Sequence, residues 1–398
     1  MTPLRRLLRP LLLLAGLLAA GAMPARATAP VRIGLTAEFG IPGSTSAQAV
    51  EMGIRLAVSE INARGGVLKG RPLELVTRDD RSVPARAQSH LREMAAMDDM
   101  VAVFTAKFSP VVLEIKPLAE QLQMPLLATW SAADPIIDAS QSGSYVFRLS
   151  LRDTWAIEAM MDHLVRQRGF AHVGILLPNT GWGRSSLAAA RAHQEKHRNY
   201  RLASQWYNWG DKSLLAPYQA LRAEGATALL LVANEIEGAI LVREMAAMPP
   251  ADRLPVVAHW GITGGNFVAL AADALEQIDL AVVQTFSFND ALNPAQKKVA
   301  DAALAHFRFE STAQIPSHVG FAHAYDLTHI LARAIDAAGS TRRDAVRRAL
   351  ENVKNVKGLV RDYAAPFTAG RHEALGPEQL FLARFRPDGT LERLRPRR

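Results

Sequence analysis

Apolar and polar positions alternate in a regular α/β rhythm from residue 31 almost to the C-terminus. VRIGLTA (31–37) is a short apolar run, and Glu38 to Ser44 is a Gly/Pro loop. Ser46 to Asn62 then places Val50, Ile54, Ala57, Val58 and Ile61 on one helical face. Ala-Arg-Gly-Gly (63–66) ends that helix, with Gly65 suited to the left-handed position after it. LELVTRDD (73–80) reads as the next strand, apolar first and acidic at its C-terminal end. Strand, loop, helix and strand make one βαβ unit, whose ligand loops lie at the strand C-termini.

The same pattern predicts further strands at 101–105, 125–129, 144–149, 172–177, 201–206, 228–233, 255–259 and 280–286. Helices are expected near 84–97, 110–123, 153–168, 184–197, 213–224, 235–248 and 266–275, then 294–308, 317–338 and 341–352. In 153–168, Ile157, Met161, Leu164 and Val165 share a face, with Asp153 as N-cap. A short strand-like tail ends around 386. Such alternation implies mostly parallel sheets covered by helices on both faces. The length suggests two lobes, with crossovers at Phe147–Thr154, Val283–Asp290 and Lys354–Tyr363 forming a hinge. The expected division is 28–149 with 287–355, and 150–286 with 356–398. Arg-Glu-Met-Ala-Ala-Met occurs at both 92–97 and 243–248, and reads as a helical core stripe rather than a functional motif.

The N-terminus carries a different signal. Arg5, Arg6 and Arg9 precede the apolar run Leu11–Ala22, and Ala25-Arg26-Ala27 offers small residues for cleavage. A cleaved signal peptide, 1–27, is expected, with a retained anchor as the alternative. With no cysteine, a lipid-modified N-terminal cysteine and disulfides are both excluded. Of the net charge of +8, four units come from arginines before residue 28, leaving a modest +4. Basic residues are scattered apart from Arg395, Arg397 and Arg398, so nucleic-acid binding is not expected.

Catalytic motifs are not recognisable. Gly65-Gly-Val-Leu-Lys-Gly70 has the wrong order for a phosphate loop, and Gly183-Arg-Ser-Ser opens a helix instead of forming a nucleophile elbow. His193 and His197 have the i, i+4 spacing of a zinc pair, but no third ligand is apparent and a solvated helix face is the preferred reading. No metal or cofactor is expected.

The strand-end loops are Glu38–Ser46, Thr105–Pro110, Thr129–Asp134, Pro178–Ser185, Asn234–Glu237 and His259–Gly265. Trp130, Trp182 and Trp260 fall in them, and such rings give flat apolar walls to a small ligand. Ser109, before Pro110 at a helix N-terminus, suits a carboxylate, with Lys107 and Phe108 beside it. Thr129 and Ser131 add hydroxyls.

On these residues the chain resembles the periplasmic solute-binding proteins of the leucine/isoleucine/valine-binding type. The resemblance covers roughly 30–390 and rests on EMGIRLAVSEINARGGVLKGRPLELVTRDDRSVPARA (51–87), SPVVLEIKPLAEQLQMPLL (109–127), NTGWGRSS (179–186) and AYDLTHILARAIDAAGS (324–340). It implies a two-lobed type I periplasmic binding fold that closes on a solute and delivers it to an inner-membrane ABC permease, as a periplasmic monomer without catalysis. By resemblance, Ser109 grips the ligand carboxylate, Trp130 to Ala133, with Ser131 and Ala132, adds a hydroxyl and backbone N–H groups, and Trp182 stands where the family has a tyrosine. The loop His259-Trp-Gly-Ile-Thr263 lacks the family's acid, leaving Glu235 as the nearest carboxylate for a ligand ammonium. Because a buried ammonium without an acid is costly, organic or aromatic acids stand beside amino acids as expected ligands. A sensor protein docking on a receptor or kinase, and an exported enzyme, are the alternative functions.

Overall fold

The computed structural model describes residues 29–137, 143–386 and 388–394. The expected signal peptide and the terminal arginines lie outside this range. Two separate sheets organise the chain. The first has the order β2-β1-β3-β4-β5, all parallel, from β1 (Val31–Ala37), β2 (Leu73–Asp79), β3 (Met100–Thr105), β4 (Leu126–Ala128) and β5 (Val146–Arg148). Between these strands run α1 (Ser46–Ala63), α2 (Pro84–Ala95) and α3 (Ser109–Gln121).

The second sheet is built from β6 (His172–Pro178), β7 (Arg201–Tyr207), β8 (Ala228–Leu231), β9 (Val256–Ala258) and β10 (Leu280–Gln284). Its helices are α4 (Asp153–Met161), α5 (Gly181–His197), α6 (Leu215–Ala223), α7 (Glu235–Ala246) and α8 (Phe267–Ala271). The chain then returns to the first lobe through α9 (Pro294–Phe307), α10 (His318–Ala338), α11 (Arg343–Leu350) and a small hairpin of β11 (Val356–Lys357) and β12 (Asp362–Tyr363). It finishes in the second sheet, where β13 (Phe381–Phe385) adds antiparallel to β10 and is flanked by β14 (Leu391–Arg393). The order there is β14-β13-β10-β9-β8-β6-β7.

The buried strand runs follow from burial on both faces: every residue of β3, β8 and β10 is enclosed. The face foreseen on α1 is the one that packs, with Val50, Ile54, Ala57 and Ile61 buried and Val58 half-buried against the same core. Its neighbour is α10, and the two backbones approach closely at Gly53. A Cβ there would lie 2.2 Å from the Phe321 carbonyl oxygen. Gly65 takes a φ of +102°, the left-handed stop expected after α1.

Three local readings differ from the sequence expectation. The helix over 153–168 is α-helical only to Met161 and widens into a π-helix at Asp162–Gln167. Its apolar stripe continues through Leu164 and Val165, so pattern alone does not register the change. Asp153 is the first helical residue, not the N-cap, which is Arg152. The last passage between sheets also falls later than Lys354–Tyr363. Asp326 of α10 accepts the backbone N–H groups of Leu359 and Val360 and the Tyr363 hydroxyl, holding that segment on the first lobe. Residues 372–374 then pair with Arg148 at the edge of β5 before the chain crosses. Burial pushes the Asp326 carboxyl up to about 6 despite those three donors.

Candidate functional site

The loops that leave the C-terminal ends of the parallel strands of both sheets face one another, as this topology requires of ligand loops. Their backbones touch directly. The Thr45 N–H donates to the Gly264 carbonyl at 2.8 Å, and the Asn266 N–H to the Gly43 carbonyl at 2.8 Å. Ser44 and Gly265 thereby form a one-residue antiparallel bridge between lobes. Glycine is needed here, because a Cβ on Gly265 would sit 2.0 Å from the Gly43 oxygen. On the other side of the cleft, the Asp134 N–H donates to Ser185 Oγ at 2.9 Å.

Lys107 follows β3 and Glu235 opens α7, and their side chains meet across the cleft. The ammonium lies 2.5 Å from Glu235 Oε2, with the two side chains 3% and 2% exposed. It also donates to Ser44 Oγ at 3.4 Å. Gly264 makes room for it: a Cβ there would be 2.6 Å from Lys107 Nζ. Two further carboxyls stand close to the pair. Glu38, hydrogen-bonded by Ser46, is pushed up to about 7 by burial, an effect that the positive charge of Lys107 only partly offsets. Glu237 is also raised, by burial first and by its negative neighbour Glu235 as well.

Beside this pair, rings from both lobes enclose a small cavity. It is lined by Lys107, Phe108, Ser109, Trp130, Ala132, Trp182, Trp209, Asn234, Trp260 and Gly261. Its volume of about 10 Å3 is room for about one water molecule. Trp130 and Trp260 meet edge to face at 6.2 Å, and Trp182 meets His259 at 5.0 Å. The Trp130 ring is seated against Gly320 of α10, where a Cβ would come within 2.4 Å. Trp182 Nε1 donates to Asp153 Oδ1 at 3.2 Å, and His259 Nε2 lies 3.2 Å from the same oxygen. Asp153 Oδ2 and Trp130 Nε1 are both buried without a hydrogen-bond partner among the described residues.

Ser109 Oγ accepts the N–H groups of Ala132 and Ala133 at 3.2 and 3.3 Å, so its own hydrogen remains to be donated. Ser131 is different: its hydroxyl donates to the Ala106 carbonyl at 2.7 Å and does not line the cavity. Of the residues singled out in the sequence, Lys107, Phe108, Ser109, Trp130, Ala132, Trp182 and Trp260 share the cavity wall, whereas Ser131 and Glu235 do not. The expected roles of Lys107 and Glu235, charge for a carboxylate and for an ammonium, are each taken up by the other.

Trp209, Asn234 and Asp153 were not foreseen as site residues. Trp209 lies just beyond β7 in a tight turn closed by Asn208 and Asp211, and its ring stands edge-on to Phe108 at 5.2 Å. A tryptophan followed by glycine at a strand C-terminus was the available signal. The histidine pair of α5 also differs from expectation: His193 is only 3% exposed and pairs with Asp162, so it is not on a solvated face.

Two α/β lobes joined by three passages, with strand-end loops meeting around an apolar cavity, define a solute-binding architecture. The chain belongs to the periplasmic binding protein family, whose model matches residues 30–390. That family consists of substrate-binding proteins rather than enzymes, and its members act outside the cytoplasm. Among the described residues, no helix is long and apolar enough to cross a membrane. The chain is 24% identical over 346 residues to a Leu/Ile/Val-binding protein, BraC3, of Rhizobium johnstonii, covering 86% of this chain and 89% of that one. Its fold matches a type 1 periplasmic binding protein from Bordetella pertussis with a TM-score of 0.82 at 20% identity, over 92% and 99% of the two chains. A solute-binding protein of an ABC transporter from R. palustris, solved in complex with benzoate, matches at 0.75 and 16% identity, over 92% and 95%.

Proposed function

We propose that the protein is the binding component of an ABC importer and carries a small apolar carboxylate between its lobes. The observation that supports this reading best is the cavity itself. Four indoles and Phe108 supply apolar walls, while the Ser109 hydroxyl at the start of α3 and the unpaired Trp130 N–H supply donors. A helix N-terminus with a free hydroxyl is suited to a carboxylate. Lys107 and Glu235 neutralise each other, so neither a strongly cationic nor a strongly anionic solute finds an uncompensated charge there.

Branched-chain amino acids and aromatic or short organic acids are the two subclasses of that ligand. The Leu/Ile/Val-binding relative favours the first, and the benzoate-bound neighbour illustrates the second on the same fold. Asp153 bears on the choice, since its unpaired Oδ2 is an acceptor that an ammonium could use if Trp182 moved aside. Entry of any such solute requires the lobes to part, because the cavity of about 10 Å3 is far smaller than a ligand pocket. The protein then acts as a monomer, closing on its solute and presenting it to a membrane permease.

Calorimetric titration with leucine, benzoate and short organic acids tests the ligand class. Saturable binding of at least one of them is expected. Binding confined to a neutral sugar or a polyamine would overturn the reading.

A further inference from the structure

The far ends of α4 and α5 hold a group of side chains with no part in the cleft. Asp162 begins the π-helical turn, and His193 and His197 lie one turn apart on α5. One donor atom from each falls within 4.8 Å of the others. Among the described residues this is the one such group of three.

The arrangement is more specific than proximity. His193 Nε2 stands 3.3 Å from Asp162 Oδ1. Two ligands bound to a tetrahedral zinc at its usual bond lengths are separated by about 3.4 Å. The opposite nitrogen, His193 Nδ1, lies 2.8 Å from the buried Tyr200 hydroxyl. A metal-bound imidazole commonly donates its other N–H to just such an oxygen, which fixes the tautomer and aims the lone pair. The His193 and His197 rings are 4.3 Å apart. Arg166 Nη1 donates to both carboxylate oxygens of Asp162, at 3.4 Å to Oδ1 and 3.2 Å to Oδ2, and this half-exposed contact is one that an ion at Oδ1 would displace. Finally, π-helical turns are rare and occur often at functional positions. This one starts at the residue that supplies the carboxylate.

We propose that Asp162, His193 and His197 form a binding site for a divalent transition-metal ion, zinc foremost, that ties α4 to α5 in the second lobe. Two imidazoles and a carboxylate are a borderline donor set, preferred by zinc and its neighbours over calcium or magnesium. Water completes four-coordination. Because α4 and α5 begin at the cleft with Asp153 and Trp182, the ion would brace the helices that carry those residues from roughly 14 to 22 Å away, nine residues along α4 and eleven to fifteen along α5 at about 1.5 Å each.

Without metal, the same atoms make a simpler chain in which Tyr200 donates to Nδ1 and Nε2–H donates to Asp162. Titration of the purified protein, free of any histidine tag and dialysed against a chelator, separates the two. With zinc chloride in the calorimeter, one ion per chain is expected. His197→Ala and Asp162→Asn, both at half-exposed positions, should each weaken binding at least tenfold with the far-ultraviolet circular dichroism unchanged. Cobalt chloride should give the strong visible absorption of a four-coordinate ion, lost in His197→Ala. Absence of saturable one-to-one binding, or equal affinity in wild type and both variants, would overturn the proposal.

Discussion

Lys107 and Glu235 come from different lobes and meet at 2.5 Å, almost wholly out of water. Their pairing closes the cleft at one edge, and the Ser44–Gly265 bridge adjoins it. A buried ion pair adds little net stability over apolar groups of like size, yet removal of one partner leaves a charge that needs water. Here water can reach it if the lobes separate. Glu235→Gln is therefore expected to favour the open form, seen as a larger radius of gyration in small-angle scattering. Lys107→Met with Glu235→Leu should restore compactness. An unchanged radius in the single variant would show that the pair does not govern closure.

Glu38 gives a pH signature. Its carboxyl keeps its proton to about pH 7 when folded, against 4.5 when unfolded. Between those values the folded state binds more protons, so stability falls as pH rises. Glu38→Gln retains an acceptor for Ser46 and removes this slope. The variant should gain on wild type by up to about 3 kcal/mol between pH 4.5 and 7, at about 1.4 kcal/mol per unit. His318 and His323, held neutral by burial down to about 4, lose stability in the opposite direction as pH falls. They are common to both proteins and cancel in the difference. Urea unfolding at pH 5 and pH 8 measures it.

Trp209 combines a place on the cavity wall with partial exposure in a turn. Trp209→Ala should thus weaken solute binding roughly tenfold, about 1.4 kcal/mol, with little change in melting temperature. Trp182 is a sharper test of mixed roles, since it also satisfies Asp153. Trp182→Phe keeps most of the ring and takes the indole N–H away from that carboxylate, leaving His259 Nε2 as its nearest neighbour and costing about 1–3 kcal/mol. Thermal melts and titration of both variants decide between wall and support.

Gly53 fixes the distance between α1 and α10. Gly53→Ala puts a methyl 2.2 Å from the Phe321 oxygen, and backbone cannot step aside as a flexible side chain would. The helices must shift, at a cost of about 1–3 kcal/mol. A melting temperature equal to that of wild type would contradict the close approach.

Most of the architecture was legible in the sequence because the inner parallel strands β3, β8 and β10 are buried on both faces and helices such as α1 have a distinct apolar stripe. Val50, Ile54, Ala57 and Ile61 declare α1 without any tertiary information. What could not be read was geometry that depends on chain segments far apart. The mutual neutralisation of Lys107 and Glu235 spans 128 positions. Asp326 retains Leu359 and Val360 on the first lobe, and no local pattern announces it. Periodicity is also blind to the π-helical turn, since Leu164 and Val165 stay buried either way. Ser131 illustrates a further limit: type and position suited it to a ligand, but the Ala106 carbonyl had prior claim on its hydroxyl.

The antiparallel strand β13 follows the helices that return to the first lobe, yet it lies inside the second sheet, between β10 and β14. Until the chain has passed through α9, α10 and α11 and come back, β10 remains a raw edge and that half has no complete structure to settle into. The second half therefore closes only after the first has been supplied with its last helices, which ties the folding of the two halves together.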